Sequence, residues 1–287
     1  MKFGVMFANV GPFALPEHLA LLACTAEEVG LESLWTVEHV LVPVAYASPY
    51  PYSSSGRMPG PENAPIPDPI LPLAFVAAMT KTLRLGTGVV ILPQCHPAYV
   101  AKEMATLDVL SGGRALLGIG SGWLKEEFDA LGVPFTQRGA RTDEAIRAIR
   151  SLWKPTPEAF NGRFYRWPSV ESNPKPVQQP GVPIVIGGHA EAAARRAARY
   201  GDGFFPARGN RETLAQLFAV MRAECAAIGR DPSTIELSTG GGRLDVDSVR
   251  RYQDLGISRL VIAPPAFDRD GLRRGLHDFA EQIITKV

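Results

Sequence analysis

The chain has 287 residues, of which 46% are hydrophobic and 21% are charged, and its formal net charge at pH 7 is +1. This composition is typical of a globular protein and provides no strong basic field that would recruit nucleic acid or an anionic membrane. No apolar run approaches the roughly 18 residues that span a bilayer, and no leader-like segment precedes the first strand, so we expect a cytoplasmic protein.

Short β-branched or aromatic runs alternate with amphipathic runs, which predicts repeated βα units. The first strand is expected at residues 3–7, and the first helix begins at Pro16 and is closed by Gly30. Eight such units in 287 residues predict a (β/α)8 TIM barrel, an α/β fold that forms one domain over residues 1–287. The other seven strands are predicted at residues 33–37, 83–87, 115–119, 183–186, 203–205, 235–239 and 259–262.

Two segments are longer than the connections of a minimal (β/α)8 barrel. Residues 42–72 are rich in Pro, Ser, Tyr and Gly and are too long for an ordinary βα loop. We expect a mobile lid at the C-terminal face, with a plain surface loop as the alternative. Residues 155–180 contain an Asn-Gly turn between aromatic residues, which predicts a hairpin over residues 160–167, between the fourth helix and the fifth strand.

The three cysteines, Cys24, Cys95 and Cys225, are widely spaced and form no C-x-x-C pair. They indicate neither a disulfide framework nor a zinc site, so each is expected to pack as a small apolar residue.

Barrel active sites lie just beyond the C-terminal ends of the strands. The residues there include no Ser-His-Asp arrangement, no H-E-x-x-H motif and no metal-spaced carboxylates, so a bound cofactor would have to supply the reactivity. The candidates are Ala8, Asn9, Glu38, His39, Gly88, Val89, Ser121, Gly122, Trp123, Gly187, Gly188, His189, Arg208 and Arg243.

Glu38 and His39 are the only ionisable pair at a strand end. Histidine suits proton transfer near neutral pH, so we predict that this pair is catalytic. The alternative is structural: His39 bonds neighbouring loops, and Glu38 orients it or faces a helix.

Glycines mark several strand ends. Gly187 and Gly188 precede a predicted helix over residues 190–200, whose free N–H groups would favour a phosphate, although a plain tight turn is the alternative. Gly118, Gly120 and Gly122 lack the spacing of a dinucleotide-binding loop, so we expect close backbone approach to a flat ring instead. Tyr50, Tyr52, Arg208 and Arg243 are candidate substrate residues, the arginines for an anionic group, and the alternative is that these arginines are solvated or paired.

Several motifs together give the chain a close, nearly end-to-end resemblance to the bacterial luciferase-like monooxygenase superfamily, within it to the branch of F420-dependent oxidoreductases. They are residues 35–39 (WTVEH), 50–52 (YPY), 85–89 (LGTGV) with 96–97 (HP), 106–114 (TLDVLSGGR), 118–123 (GIGSGW), 160–166 (FNGRFYR), 174–178 (PKPVQ), 186–189 (IGGH) and 200–203 (YGDG).

The resemblance implies a flavin or deazaflavin at the C-terminal face, its ring against a bulge at Gly88-Val89 that contains a non-proline cis peptide bond. It also implies a phosphate-bearing tail near Ser121, Gly122 and the Gly187-Gly188 turn. Ala8, Trp123 and His189 are counted as further cofactor-binding candidates. Trp123 stands where deazaflavin-dependent sugar-phosphate dehydrogenases of the superfamily carry an acid, so that activity is not expected.

The expected function is hydride transfer between coenzyme F420 and a small organic substrate, with a homodimer as a candidate oligomeric state. One alternative is a monooxygenase that uses reduced FMN and oxygen, and another is a flavin-binding protein without turnover. That last alternative depends on whether Tyr50, Tyr52, Glu38 and His39 enclose a substrate-sized space beside the ring.

Overall fold

Eight parallel strands close into a barrel in the computed structural model, which describes residues 1–61 and 63–287. Neighbouring barrel strands pair in the order β1-β2-β3-β5-β8-β9-β10-β11, and β11 pairs with β1 to close the ring. The predicted (β/α)8 barrel is therefore confirmed. The strands are β1 (Lys2–Val5), β2 (Ser33–Thr36), β3 (Arg84–Thr87), β4 (Val90–Ile91), β5 (Ala115–Gly120), β6 (Phe160–Asn161), β7 (Arg166–Trp167), β8 (Ile184–Gly187), β9 (Gly203–Phe205), β10 (Glu236–Gly241) and β11 (Arg259–Ile262).

Helices cover the outside of the barrel. Their starts follow the expected capping chemistry, since Pro16 and Pro97 open two of them and the Asp268 side chain accepts a hydrogen bond from the N–H of Gly271. Among the described residues, no helix is both long and apolar enough to span a membrane. The helices are α1 (Pro16–Glu28), α2 (Leu71–Met79), α3 (Pro97–Ser111), α4 (Lys125–Ala130), α5 (Arg138–Trp153), α6 (Glu191–Tyr200), α7 (Arg211–Ala227), α8 (Val246–Asp254) and α9 (Arg269–Gln282).

The barrel interior explains two of the glycines. A Cβ on Gly86 would lie 2.5 Å from the Trp35 ring, and a Cβ on Gly118 would lie 1.8 Å from the carbonyl oxygen of Thr87. Only glycine lets these strands approach so closely. The interior side chains that pack together are Trp35, Leu116, Val185, Phe205 and Val261.

A buried arginine lies at the N-terminal end of the strands, opposite the predicted site. Arg259 is fully buried, and its guanidinium lies 2.7 Å from a Glu32 carboxylate oxygen and 2.5 Å from one of Glu236. Burial lowers the pKa of Arg259, but the two carboxylates outweigh this effect and leave its pKa raised. The two carboxylates therefore compensate the buried charge of Arg259 at this end of the barrel.

The predicted hairpin is present as β6 and β7, but its turn differs from the Asn-Gly turn that we expected. Asn161 lies in β6, and the N–H of Gly162 donates to the carbonyl of Tyr165 at 2.9 Å, so the loop spans residues 162–165. The Glu144 carboxylate accepts the N–H groups of Arg163, Phe164 and Tyr165 at 2.7 to 2.9 Å. This contact from α5 fixes the longer turn.

Three further expectations need correction. β1 ends at Val5 rather than at residue 7, because Phe7 adopts a left-handed conformation with φ of 63°. Cys24 is exposed rather than packed, whereas Cys225 is buried. The strand predicted at residues 33–37 ends at Thr36.

Candidate functional site

The C-terminal ends of β1 and β2 are joined to the long loop by one buried amide. The Asn9 side chain donates to the carbonyls of Val37 at 2.8 Å and Pro67 at 2.7 Å, and it accepts the N–H of Val37 at 2.8 Å. Ala8 is fully buried beside it, with its N–H bonded to the carbonyl of Trp35 at 3.0 Å. Asn9 therefore anchors the loop over residues 42–72, at Pro67, to the C-terminal face of the barrel, which we call the mouth. Glu62 within this loop lies outside the described residues.

The bulge after β3 contains a cis peptide bond between Gly88 and Val89, as predicted. The Val89 side chain lies against the ends of β5 and β8. A Cβ on Gly120 would be 2.7 Å from its Cγ2, and a Cβ on Gly187 would be 2.6 Å from its Cγ1. Val89 itself is only partly buried. The bulge and the ends of β5 and β8 thus form a surface of backbone and one valine that a planar ring can approach.

Glu38 lies beside this bulge. The N–H of Ile91, in β4, donates a hydrogen bond to the Glu38 carboxylate. Burial, together with the nearby carboxylates of Glu127, Asp68 and Glu103, raises the pKa of Glu38 to about 7 although the Ile91 N–H opposes the shift. Glu38 is therefore a carboxyl that exchanges a proton near neutral pH and also supports β4.

His39 is held by a carboxylate that sequence reasoning missed. Its Nδ1 lies 3.0 Å from Oε2 of Glu127, whose side chain is fully buried in the first turn of α4. Oε1 of Glu127 accepts the N–H groups of Val40 at 2.7 Å and Leu41 at 3.1 Å. Glu127, and not Glu38, orients His39.

A signal for Glu127 exists in the sequence. Leu124, Glu127 and Phe128 fall on one face of α4, and the two apolar neighbours are almost completely buried. An acid on an apolar helix face is unusual unless it is paired. That pattern would have identified Glu127 as a buried, partnered carboxylate.

The adjacent Glu126 anchors the next part of the long loop. Its Oε1 accepts the N–H groups of Ala47 at 2.7 Å and Ser48 at 3.1 Å. The hydrogen bond from the Ser48 hydroxyl, followed by that from the N–H of Ala47, lowers the pKa of Glu126 to about 2. Two neighbouring glutamates therefore attach successive stretches of the loop to α4.

Aromatic side chains carry the loop across the mouth. Tyr50 lies 5.1 Å from Trp123 and 5.4 Å from Tyr52, and Tyr52 lies 5.1 Å from His189, measured between ring centroids. Trp123 also lies 5.8 Å from the His39 ring. The rings thus connect the ends of β2, β5 and β8, and a mobile lid with a role in turnover stays a prediction.

The two candidate arginines behave differently. Arg208 donates from its guanidinium to the carbonyl of Tyr52, so it ties the end of β9 to the long loop. Arg243 is exposed in the loop after β10 and has no ion pair or hydrogen bond with the residues that the structure describes. The structure brings Arg208 to the mouth cluster and does not bring Arg243 there.

Residues that suit a phosphate lie beside the glycine turns. The N-cap of α6 makes no side-chain hydrogen bond, and Gly188 before it has φ of 125°, which favours glycine. The Ser121 hydroxyl lies 3.2 Å from the hydroxyl of Thr142 on α5. The N-cap of α5 also makes no side-chain hydrogen bond. Arg141 in this first turn buries an Nε that has no partner among the described residues. The uncapped start of α6 and the unpaired guanidinium N–H of Arg141 fit an anionic group.

His189 completes the arrangement at the start of α6. It is exposed on its outer side and faces Tyr52 on the other, and burial lowers its pKa. At neutral pH it therefore contributes an uncharged ring to the mouth.

Two surface depressions lie away from the mouth. One, of about 420 Å³, is lined by Leu244, Asp245 and Lys286 among others, and one, of about 340 Å³, lies along the exposed side of α9 at Arg273 and His277. Neither includes a predicted site residue.

Comparison with known proteins gives the family. Residues 1–243 match the family model described as luciferase-like monooxygenase, so the chain belongs to that family. It is 34% identical over 275 residues to an uncharacterized protein of Mycobacterium tuberculosis strain H37Rv, with 93% of this chain and 94% of that protein covered.

Two characterised proteins show the range of the similarity. An FMNH2-dependent dimethylsulfone monooxygenase of Pseudomonas putida is 36% identical over 157 residues, which cover 53% of this chain and 43% of that protein. An F420-dependent secondary alcohol dehydrogenase, solved with an F420-acetone adduct, has the same fold with a TM-score of 0.78 and 18% identity, over 99% of this chain and 98% of that one. The first of these proteins is a relative in sequence, and the second shows that the fold is shared.

Proposed function

We propose that the protein is an oxidoreductase that moves a hydride between coenzyme F420 and a small organic substrate. The F420-dependent structural neighbour and the resemblance in the motifs support the choice of cofactor. The observation that carries the proposal is a proton-handling cluster, Glu38 and the His39-Glu127 pair, directly beside the Gly88-Val89 bulge.

The residues present fit a flat ring with a phosphate-bearing tail. The Val89 side chain occupies the space that side chains at positions 120 and 187 would need. Gly120 and Gly187 therefore leave a surface of backbone and Val89 for the ring. Ser121, the Gly188 turn and the first turns of α5 and α6 would hold the phosphate through N–H groups. When bound, the cofactor supplies hydride transfer, which protein side chains cannot perform.

The chain itself would handle the proton and exclude water. Oxidation of a hydroxyl or reduction of a carbonyl moves a proton as well as a hydride, and His39 Nε2 is the atom that we assign to accept or return it. Glu38 lies nearby with its pKa at about 7 and provides a second exchangeable proton. Tyr50 and Tyr52, held over Trp123 and His189, would cover the substrate.

A second candidate function is a monooxygenase that uses reduced FMN. It is favoured by the 36% identity to the FMNH2-dependent monooxygenase, which exceeds the identity to the F420-dependent neighbour. The same mouth residues would hold FMN, and the same cover would shield the ring. The two functions differ in cofactor and in whether oxygen is consumed.

Equilibrium titration of the purified protein separates them. FMN, FAD and F420 are titrated separately, with tryptophan fluorescence and visible absorbance as readouts, and Trp123→Phe serves to identify the fluorescence signal from the mouth. We expect F420 to bind at least tenfold tighter than FMN, which is about 1.4 kcal/mol. Equal or tighter binding of FMN, together with oxygen uptake in the presence of reduced FMN, would replace the hydride-transfer proposal with the monooxygenase.

A further inference from the structure

We propose that Glu127 fixes the tautomer of His39, so that Nδ1 carries the hydrogen and Nε2 is the acceptor. Glu127 is thereby a positioning residue, which acts on the reaction only through the His39 ring. The consequence for turnover rests on the proposed function, but the tautomer is a property of the protein alone and is measured without any cofactor.

First, one oxygen of the Glu127 carboxylate is fully used by backbone hydrogen bonds. Oε1 of Glu127 accepts two backbone N–H groups, from Val40 and Leu41, which directly follow His39. Both donors are backbone N–H groups, which can donate a hydrogen bond but cannot accept one. The carboxylate is therefore locked in orientation, and its remaining oxygen, Oε2, is directed to the imidazole.

The second step concerns the hydrogen between Oε2 and Nδ1. The two atoms are 3.0 Å apart, and the side chains of His39 and Glu127 are 9% and 0% exposed, so water does not compete for this bond. A carboxylate only accepts, so the imidazole must donate from Nδ1. A neutral ring then carries no hydrogen on Nε2, which has no hydrogen-bond partner among the described residues and is free to accept a proton.

The third step is the effect of an amide at this position. In Glu127→Gln the side-chain oxygen must stay with the N–H groups of Val40 and Leu41, because the amide nitrogen cannot accept from them. The NH2 group is then left facing His39, which can accept only at a bare Nδ1. The hydrogen moves to Nε2, and the acceptor in the mouth becomes a donor.

Glu126 provides a matched control. It is the preceding residue on α4, and it also holds two loop N–H groups, those of Ala47 and Ser48, yet it contacts no histidine in the described structure. Glu126→Gln changes the same charge by the same chemistry next to the same loop. Any effect of losing a loop anchor is therefore shared by both variants, and a change of tautomer is confined to Glu127→Gln.

The experiment is a long-range 1H–15N correlation on the 15N-labelled protein without cofactor at pH 8.5, where imidazoles are generally neutral. Of the five histidines, His39 is assigned by its absence in His39→Gln. We expect Nδ1–H in the wild type and in Glu126→Gln, and Nε2–H in Glu127→Gln. Nε2–H in the wild type, or an unchanged tautomer in Glu127→Gln, would overturn the proposal.

A second variant protects the test against misfolding. Glu127→Asp keeps an acceptor-only side chain, so it should retain Nδ1–H even where the shorter chain loosens the loop. An Nε2–H ring in Glu127→Asp would contradict the proposal, and the wild-type tautomer decides it even if Glu127→Gln does not fold.

Measurement of turnover tests the consequence of the tautomer for the reaction. In an active assay, Glu127→Gln should lower kcat by at least about 100-fold, in the range seen when general bases are disabled, while the Kd of the cofactor changes less than threefold. In serine-protease triads the same carboxylate-to-amide change inverts a tautomer and costs about 10⁴-fold. Nδ1–H in the wild type without F420 binding would refute the proposed function and keep the role of Glu127. Nε2–H in the wild type together with F420 turnover would refute the role of Glu127 and keep the proposed function.

Discussion

Replacing Glu38 by Gln should stabilise the protein at alkaline pH and leave its stability at acidic pH nearly unchanged. Burial and neighbouring carboxylates raise the pKa of Glu38 from 4.5 to about 7. Between these two values the folded protein keeps a proton that the unfolded chain releases, so stability falls as pH rises through this window. At 1.36 kcal/mol per pKa unit, the ionised Glu38 costs about 3 kcal/mol above pH 7. Gln does not titrate, and its amide oxygen can accept the N–H of Ile91 as the neutral carboxyl does.

The assay is urea unfolding at pH 5, 6, 7 and 8, followed by tryptophan fluorescence. The difference in free energy of unfolding between Glu38→Gln and the wild type should grow from under about 1 kcal/mol at pH 5 to about 3 kcal/mol at pH 8. Glu281→Gln, on the exposed side of α9, is the control and should run parallel to the wild type. A constant difference for Glu38→Gln across this range, or a loss of stability at pH 8, would refute the reasoning.

Three further perturbations test the lid, the ring surface and the opposite pole. Deletion of residues 53–60 should impair substrate turnover more than cofactor binding, and unchanged turnover would restore the view of a plain surface loop. Gly120→Ala should weaken cofactor binding at least tenfold, because its Cβ would lie 2.7 Å from the Val89 side chain. Gly242→Ala, whose Cβ would meet nothing within 4 Å, should not, and equal effects would contradict a ring surface at Gly120. Arg259→Met should lower the free energy of unfolding by about 3 kcal/mol in urea titrations, since Glu32 loses its ion pair and Glu236 keeps only Lys2. Arg273→Met, exposed on α9, should cost under about 0.5 kcal/mol, and equal losses would show that the buried network adds no stability.

Local signals in the sequence were sufficient for the barrel and for the position of its mouth. The short β-branched and aromatic runs predicted eight strands, and the glycines near their ends indicated close backbone approach, as Gly118 shows at Thr87. The cis bond at Gly88-Val89 came from resemblance, since no local propensity indicates it.

Long-range contacts account for what the sequence did not reveal. The hairpin turn is set by Glu144 on α5, and the orientation of His39 is set by Glu127, which lies 88 positions further along the chain. Neither partner is visible from a window of neighbouring residues. Glu38 and His39 follow the end of β2, and although they are neighbours in sequence they have separate partners, the N–H of Ile91 and the carboxylate of Glu127.

The central claim is that the barrel mouth at Gly88-Val89 receives a flavin-type ring, and a crystal structure of the protein with its tightest-binding cofactor tests it most directly. The account predicts the ring in contact with Val89 beneath Tyr50 and Tyr52, and the phosphate among Ser121 and the Gly187-Gly188 turn. A ring bound away from Val89, or a phosphate held by neither helix N-terminus, would contradict it.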